Sequence, residues 1–199
     1  MRFVVDWDGT VTVHDTLVEV VTRFGDQKVI EQAEAELGRR LTLHEVIQAE
    51  VETISATIDE ITDHIVESVS VRAGFREFAG RHRPTIVSAG FHELIAPVLE
   101  REGVDVEVRA NRLERTPDGW RARFRDPSRC GACGEPCKRA TVLDGGPVTF
   151  VGDGLSDRCA ALAADRVFAR DGLARWLEAQ GAAYEPWVDF EQLSRTIAG

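Results

Sequence analysis

The sequence predicts an α/β fold, with a parallel β-sheet as its core and a small helical block inserted after the first strand. Two patterns support this prediction. From residue 72 onward, short apolar runs of β-strand character alternate with helical patterns, an order typical of a parallel sheet with helices on both faces. Between residues 15 and 71, apolar residues recur at helical spacing, and no proline occurs before Pro84. The 199 residues suit one domain that carries such an insertion.

The elements follow in order along the chain. Residues 3–7 are a β-prone run that stops at the turn-forming sequence Asp8-Gly-Thr, which predicts strand one. We expect about four short helices in residues 15–71. The later predicted helices are 75–82, 91–102, 138–143, 156–164, 172–180 and 189–197. The later predicted strands are 84–88, 104–108, 148–151 and 166–169, with a hairpin in 111–125 around Pro117-Asp-Gly119. The predicted domains are a core of residues 1–14 and 72–199 and an insertion of residues 15–71.

Charge and hydropathy exclude several classes of partner. The chain has 34 acidic and 24 basic residues, and its formal charge of −10 repels nucleic acid and anionic lipid. No apolar run reaches the ~20 residues that span a bilayer. The first apolar run ends at Asp6, which excludes a secretory signal. We therefore expect a cytoplasmic protein that binds a small molecule, and its oligomeric state stays open.

Polar residues follow three of the predicted strands at their carboxyl ends, where parallel sheets bind ligands. These residues are Asp6, Asp8, Ser88, Asp153 and Asp157. Alternation along an extended chain directs Asp6 and Asp8 to the same side. Buried carboxylates repel each other unless a cation joins them, and a set of oxygen ligands suits Mg²⁺. The pattern therefore predicts a magnesium site at this edge of the sheet.

Taken in order, these residues resemble the motifs of the haloacid dehalogenase (HAD) superfamily of phosphatases, over nearly the whole chain. The matching residues are Asp6-Trp7-Asp8-Gly9-Thr10, then Ser88, then Lys138, then Gly152-Asp153-Gly-Leu-Ser-Asp157. Only Lys28 and Lys138 among the 24 basic residues are lysines, which favours a specific need for a compact ammonium group at Lys138. The resemblance implies a Rossmann-like core of the HAD type, with residues 15–71 as the small helical insertion that the family calls a C1 cap.

The resemblance also implies a role for each residue. Asp6 would attack phosphorus as the nucleophile and form an aspartyl-phosphate, and Asp8 would act as general acid and then as general base. Mg²⁺ would be held by Asp6, the backbone carbonyl of Asp8, and Asp153. Asp157 would orient Lys138 or a metal-bound water. The implied phosphate-binding residues are Asp8, Gly9, Thr10, Ser88, Ala89, Gly90 and Lys138.

Within the superfamily, the sequence is most similar to the phosphoserine-phosphatase-like branch. Within that branch, its motifs most resemble those of the methionine-salvage group, the hydroxy-methylthio-ketopentenyl phosphate phosphatases. That likeness implies a small phosphorylated metabolite as substrate. Residues 41–54 contain no arginine for a substrate carboxylate, so we expect phosphoserine to be a poor substrate. His14 and His92 lie beside motif residues and are candidates for substrate contact. Asp15 either contacts substrate or caps the first helix of the insertion.

Two other functions stay open: a phosphotransferase or mutase of the same superfamily, and a non-catalytic binding module organised by zinc. Three clustered thiols, Cys130, Cys133 and Cys137, raise the question of zinc. A structural zinc site normally has four ligands, and a fourth, Cys159 or His82, would have to come from elsewhere in the chain. We therefore favour a reduced loop over zinc at this segment.

Overall fold

Seven β-strands form one sheet at the centre of the computed structural model, which describes residues 2–126 and 128–198. The strands are β1 (Arg2–Val5), β2 (Thr85–Phe91), β3 (Val108–Thr116), β4 (Gly119–Arg123), β5 (Val148–Gly152), β6 (Arg166–Ala169) and β7 (Glu185–Pro186). Their order across the sheet is β4-β3-β2-β1-β5-β6-β7, and every neighbouring pair is parallel except β3 and β4. The predicted α/β class with a largely parallel sheet is confirmed.

Ten helices connect and cover these strands in the described part of the chain. They are α1 (Thr16–Phe24), α2 (Gln27–Ala35), α3 (Leu43–Glu52), α4 (Ile58–Ser68), α5 (Phe75–His82), α6 (His92–Glu102), α7 (Arg139–Leu143), α8 (Arg158–Ala161), α9 (Asp171–Ala179) and α10 (Phe190–Ala198). Alternation along β1 places Phe3 and Val5 in one apolar cluster with α5, α6 and α10, and places Val4 in a second cluster with α7, α8 and α9. The sheet is therefore buried on both faces.

Helices α1–α4 form a helical block between β1 and α5, as the spacing of apolar residues predicts. Each of the four begins at a side chain that accepts hydrogen bonds from its first turn. These N-cap residues are Asp15, Asp26, Thr42 and Thr57, and the two threonines form capping boxes with Glu45 and Glu60. The block also contacts the β3–β4 hairpin, since the indole Nε1 of Trp120 donates to the carbonyl of Ala56 at 2.8 Å.

The register of the parallel strands brings the predicted site residues to one edge. Val5 lies beside Ile86 of β2 and beside Val151 of β5. The residues that come next on each strand, including Asp6, Ser88 and Asp153, therefore lie at the carboxyl edge of the central strands. This is the position at which parallel sheets bind ligands.

Two predicted elements differ from the structure, and one short strand was not predicted. The strand predicted at 104–108 is wrong. Its residues alternate between exposed and half-buried, as in a strand, but the segment's hydrogen bond to β2 is a single one, from Ile86 N to the Glu107 carbonyl. One longer strand, β3, pairs with β2 and also forms the predicted hairpin. The helix predicted at 156–164 is a single tight turn at Leu155–Asp157 followed by the short α8. The two-residue β7 was not predicted, because two residues carry no periodicity.

No helix in the described part of the chain combines the length and apolar character needed to cross a membrane.

Candidate active site

A tight turn follows β1 and positions the first two carboxylates. Asp6 is buried, and its Oδ1 accepts hydrogen bonds from the backbone N–H of Trp7 at 2.7 Å and from Lys138 Nζ at 2.5 Å. Gly9 has a φ of +73°, and a Cβ at this position would stand 2.4 Å from Asp153 Oδ2. The turn therefore needs glycine both for its backbone conformation and for its close approach to Asp153.

Arg72 holds this turn in place through hydrogen bonds to its backbone carbonyls. Its Nε donates to the carbonyl of Thr10 at 2.9 Å, and its Nη2 donates to the carbonyl of Gly9 at 2.8 Å. These bonds satisfy carbonyls that a tight turn leaves without a strand partner. Sequence reasoning assigned Arg72 no role.

Asp8 is half-buried and hydrogen-bonded through both oxygens. Its Oδ1 accepts from Thr16 N at 2.8 Å and from Thr16 Oγ1 at 2.6 Å, and its Oδ2 accepts from Ser88 Oγ at 3.2 Å. Burial raises the pKa of Asp8, while the hydrogen bonds from Thr16 oppose the rise. A carboxyl group with a raised pKa is suited to give and take a proton. Thr16 was missed in the sequence, although it directly follows Asp15.

Lys138 is buried between two carboxylates. Besides its contact with Asp6, its Nζ donates to Asp157 Oδ1 at 2.8 Å. Burial alone would lower the pKa of Lys138, but the charges of Asp157 and Asp6 outweigh it, and the net effect raises that pKa. Lys138 therefore carries a positive charge beside Asp6, as its rarity in the sequence suggested.

Asp153 and Asp157 complete a cluster with Asp6. One oxygen from each of the three carboxylates lies within 4.8 Å of the others. Asp157 Oδ2 accepts from the backbone N–H groups of Asp153 and Gly154, both at 3.0 Å, and Thr10 Oγ1 donates to Asp153 Oδ1 at 2.9 Å. Burial and then the charge of Asp157 raise the pKa of Asp153 to about 6. Asp157 is thus occupied by Lys138 and the backbone, whereas Asp6 and Asp153 are better placed to hold a cation.

The end of β2 supplies small residues and a hydroxyl. Ser88 Oγ accepts from the backbone N–H of Gly90 at 2.8 Å, and the carbonyl of Ala89 accepts from Asn111 Nδ2 at 2.6 Å. A Cβ on Gly90 would stand 2.7 Å from Asp8 Oδ2. This glycine allows the backbone to approach the carboxylate closely, and Asn111, which sequence reasoning missed, holds the segment in place.

The three candidates for substrate contact lie outside this network. His14 is exposed, and His92 is the half-buried first residue of α6. Asp15 is exposed and caps α1, accepting from Leu17 N at 2.8 Å and Val18 N at 3.1 Å. The capping interpretation of Asp15 is therefore correct, and a contact of any of the three with substrate stays a prediction.

A cleft of about 670 Å³ opens beside Ser88, between the helical block and the core. Among the described residues its charged lining is mainly basic: the arginines are Arg39, Arg40, Arg125, Arg139 and Arg158, and the acids are Asp126 and Glu135. This local positive charge contrasts with the net charge of −10 of the whole chain. Arg39 and Arg40 stand just before the arginine-free range 41–54, so the absence of arginine from that range does not remove positive charge from the cleft.

The loop before α7 holds the three clustered thiols at the rim of this cleft. A fourth thiol joins these three. It belongs to Cys159 in α8, and its Sγ lies 3.9 Å from that of Cys130. The four sulfur atoms lie within 4.8 Å of one another. Cys159 is one of the two fourth ligands that the sequence offered, and α8 brings it to the other three from a distant part of the chain, so a missing ligand no longer favours a reduced loop over zinc.

The fold and the site together define a class: α/β proteins with clustered carboxylates at the carboxyl ends of parallel strands. Residues 3–162 match the haloacid dehalogenase-like hydrolase family. The chain belongs to that family, as the four motifs indicated. The predicted enzyme class, a phosphatase of this family, agrees with the relatives and the solved structures that the chain resembles.

Two curated relatives span nearly the whole chain. A "2-hydroxy-3-keto-5-methylthiopentenyl-1-phosphate phosphatase" of Exiguobacterium sp. (strain ATCC BAA-1283 / AT1b) is 26% identical, covering 98% of this chain and 95% of its own length. A protein of the same name from Lysinibacillus sphaericus (strain C3-41) is 25% identical over 96% of this chain and 91% of its own.

Solved structures show the same fold. A phospho-aspartyl intermediate analogue of phosphoserine phosphatase has a TM-score of 0.70 at 18% identity, covering 98% of this chain and 97% of that chain. Phosphoserine phosphatase from T. onnurineus in complex with NDSB-201 has a TM-score of 0.69 at 20% identity, covering 98% and 93%. At these identities the likeness establishes the fold, which is that of phosphoserine phosphatase.

Proposed function

We propose that this chain is a Mg²⁺-dependent phosphomonoesterase of a small metabolite that works through an aspartyl-phosphate. The observation that carries the proposal is the assembly of Asp6, Asp8, Lys138 and Asp153 at one edge of the sheet, from three separate parts of the chain. Each residue type matches one need of the reaction: a nucleophile, a proton carrier, a fixed positive charge and a metal ligand.

In the first step, the free oxygen of Asp6 attacks phosphorus. Both hydrogen bonds to Asp6 end on Oδ1, which leaves Oδ2 to form the new P–O bond. The ester P–O bond breaks, and the leaving alkoxide takes the proton that Asp8 carries. Lys138 offsets negative charge that develops on the phosphoryl group.

In the second step, water replaces the Asp6 oxygen on phosphorus. Asp8, now ionised, accepts a proton from the attacking water, the aspartyl P–O bond breaks, and inorganic phosphate leaves. Asp6 returns as a carboxylate and Asp8 as a carboxylic acid, so the site is ready for another turnover. Thr16 and Ser88 hold Asp8 in one orientation for both proton transfers.

The residues present fit a magnesium ion. Asp6 and Asp153 offer hard oxygen ligands, and Lys138 supplies one positive charge to the three clustered carboxylates, whose remaining repulsion a divalent cation would relieve. The backbone carbonyl of Asp8 is proposed as a further ligand. Bound Mg²⁺ would offset the repulsion between the carboxylate nucleophile and the anionic phosphate.

We further propose that the helical block, residues 15–71, is a cap that selects the leaving group. The core residues recognise only phosphate and metal, which every phosphate ester shares. The cleft beside Ser88 lies between the block and the core, so the part of the substrate that distinguishes one ester from another would lie there. Closing the block over the site would also exclude water.

The first candidate substrate is 2-hydroxy-3-keto-5-methylthiopentenyl-1-phosphate, which the curated relatives are named for. The arginines of the cleft favour a second candidate class, phosphate esters whose leaving group carries a carboxylate, such as phosphoserine. The two candidates differ in the charged groups of the leaving group: serine carries a carboxylate and an ammonium group, and the first candidate carries neither. A comparison of kcat/KM between them therefore decides which chemistry the cleft recognises.

The test is hydrolysis of a panel of phosphate esters, with Mg²⁺ and with excess chelator, combined with mass spectrometry of the rapidly quenched protein. We expect Mg²⁺-dependent release of phosphate and one phosphoryl group on Asp6. Asp6→Asn should abolish both, while Asp118→Asn, at an exposed turn, should change neither.

Three results would contradict the proposal: full activity in excess chelator, no hydrolysis of any ester with Mg²⁺ present, or normal turnover by Asp6→Asn after deamidation has been excluded by mass. Release of a phosphorylated acceptor alcohol in preference to inorganic phosphate would identify a phosphotransferase instead.

A further inference from the structure

We propose that Cys130, Cys133, Cys137 and Cys159 bind a structural Zn²⁺ ion that joins the loop before α7 to helix α8. The four are all the cysteines of the chain. Three come from one loop and the fourth lies 22 or more residues further along, yet their sulfur atoms lie within 4.8 Å of one another. This site is separate from the carboxylate cluster and independent of the proposed function.

The spacing of the sulfur atoms fits tetrahedral zinc. A Zn–S bond of about 2.3 Å requires sulfur atoms about 3.8 Å apart at the corners of a tetrahedron. Cys130 Sγ and Cys159 Sγ are 3.9 Å apart. A disulfide needs sulfur atoms about 2.05 Å apart, and the four cysteines are free thiols in the structure.

The loop is shaped like a metal-binding turn. Gly134, with a φ of +76°, lets the chain reverse, and its N–H donates to the carbonyl of Cys130 at 2.8 Å. The N–H of Ala132 donates to Cys130 Sγ at 3.4 Å. Such backbone bonds to sulfur favour the thiolate that a metal binds.

The position explains why a metal would be useful. Residues 124–126 and 128–137 contain no helix or strand, and Cys133 is exposed, so a hydrophobic core does little to order this loop. The loop nevertheless delivers Lys138, directly after Cys137, into a buried contact with Asp157, which lies two residues before Cys159. A metal bridge would fix these two segments together.

Four thiolates and Zn²⁺ give a net charge of −2, which nearby basic side chains would offset. Arg139 Nη1 donates to the carbonyl of Cys159 at 3.2 Å, and Arg158 directly precedes Cys159. Tetrahedral four-sulfur sites take zinc or iron. Zinc has no redox chemistry, so it suits a bridge whose role is purely structural.

The experiment measures metal per chain by plasma mass spectrometry. The protein is purified under reducing conditions, incubated with Zn²⁺ and dialysed against a large excess of Mg²⁺, which competes with zinc for the carboxylates. We expect about one zinc per chain, four thiols protected from a thiol reagent until a strong chelator is added, and sulfur-to-metal charge-transfer absorption when Co²⁺ replaces Zn²⁺. Cys133→Ser and Cys159→Ser should each lose the zinc, whereas Ser128→Ala, exposed in the same loop, should retain it.

Wild-type protein that retains no zinc, or that retains iron in its place, would overturn the assignment. So would zinc that remains in Cys159→Ser, or a Co²⁺ form without charge-transfer absorption. The thiol-protection measurement needs only the wild type, so the test holds even where a variant fails to fold. All these readouts are independent of catalysis, so they separate a failure of this site from a failure of the phosphatase proposal.

Discussion

Three aspartates of one site are given different properties by their neighbours. Burial raises the pKa of both Asp6 and Asp8; Lys138 opposes that rise at Asp6, whereas hydrogen bonds from Thr16 and Ser88 oppose it at Asp8. Asp157 is bonded through both oxygens to Lys138 and to backbone N–H groups. Under the proposed function, these environments would suit Asp6 to nucleophilic attack, Asp8 to proton transfer and Asp157 to positioning.

Replacing Asp8 by asparagine removes a proton carrier and should harm poor leaving groups most. We expect Asp8→Asn to lower kcat for an alkyl phosphate by about 10²–10⁴-fold, because an alkoxide must be protonated as it leaves. An aryl phosphate should lose much less in the first step, since a phenolate leaves without a proton. Pre-steady-state bursts with both esters measure this difference, with Asp118→Asn as the control. Equal losses for both esters would contradict the role of Asp8 as general acid.

Among the elements, the turn after β1 contributes most to the geometry of the site. It brings Gly9 against Asp153, presents Asp8 to Thr16 of α1, and is held by Arg72. Because the turn links β1, β5 and the helical block, a small change of its backbone displaces groups on all three.

Adding a single methyl group at Gly9 tests whether the turn after β1 sets the geometry of the site. Gly9→Ala meets both an unfavourable positive φ and a collision with Asp153, whereas Gly103→Ala, with a φ of +65°, has no atom within 4 Å of the added Cβ. We expect both variants to lose about 1–2 kcal/mol of unfolding free energy from the backbone. Only Gly9→Ala should lose activity, by about 100-fold for a displacement of about 1 Å. Urea unfolding and kcat/KM measure the two effects. Loss of activity in both, or in neither, would show that the close approach to Asp153 is unimportant.

At the scale of the whole molecule, folding brings together carboxylates that are far apart in the sequence. Asp6 lies after β1, and Asp153 and Asp157 lie after β5, yet their oxygens are within 4.8 Å. Lys138 offsets part of the repulsion, and the net charge of −10 adds no further compensation. The native state should therefore gain stability from a divalent cation.

Magnesium should raise the melting temperature, because it binds the folded cluster and not the unfolded chain. At a free Mg²⁺ concentration 100 times the dissociation constant, the free energy of unfolding increases by about 2.7 kcal/mol. At about 2–4 °C per kcal/mol for a chain of this size, the expected increase is about 5–10 °C. Asp153→Asn should melt at a higher temperature than wild type without Mg²⁺, since it relieves repulsion, and should show little further increase with Mg²⁺. Calorimetry measures both, with Asp118→Asn as the matched variant. An unchanged Mg²⁺ response in Asp153→Asn would place the ion elsewhere.

Much of the fold and site could be predicted because the signals are local. The helical spacing of residues 15–71 and the strand–helix alternation after residue 72 each lie within a few turns of chain, and the order of the elements then selects a parallel sheet. Asp6, Asp8 and Asp153 could be found because each follows a strand, and Ser88 because it ends the predicted strand 84–88; parallel strands present their carboxyl ends at one edge. The strand predicted at 104–108 was misplaced because pairing with β2, rather than the alternation of its residues, decides where a strand begins.

The sequence by itself determined the class of fold, the family motifs and the carboxylates that face one another across the sheet edge. Only the tertiary structure decided that Thr16 holds Asp8, that Arg72 holds the turn, that Arg39 and Arg40 line the cleft and that Cys159 joins the other three thiols. The physical reason is that these contacts join side chains from different elements. Their distances depend on how helices pack on the sheet, and no spacing within one segment of sequence records that packing.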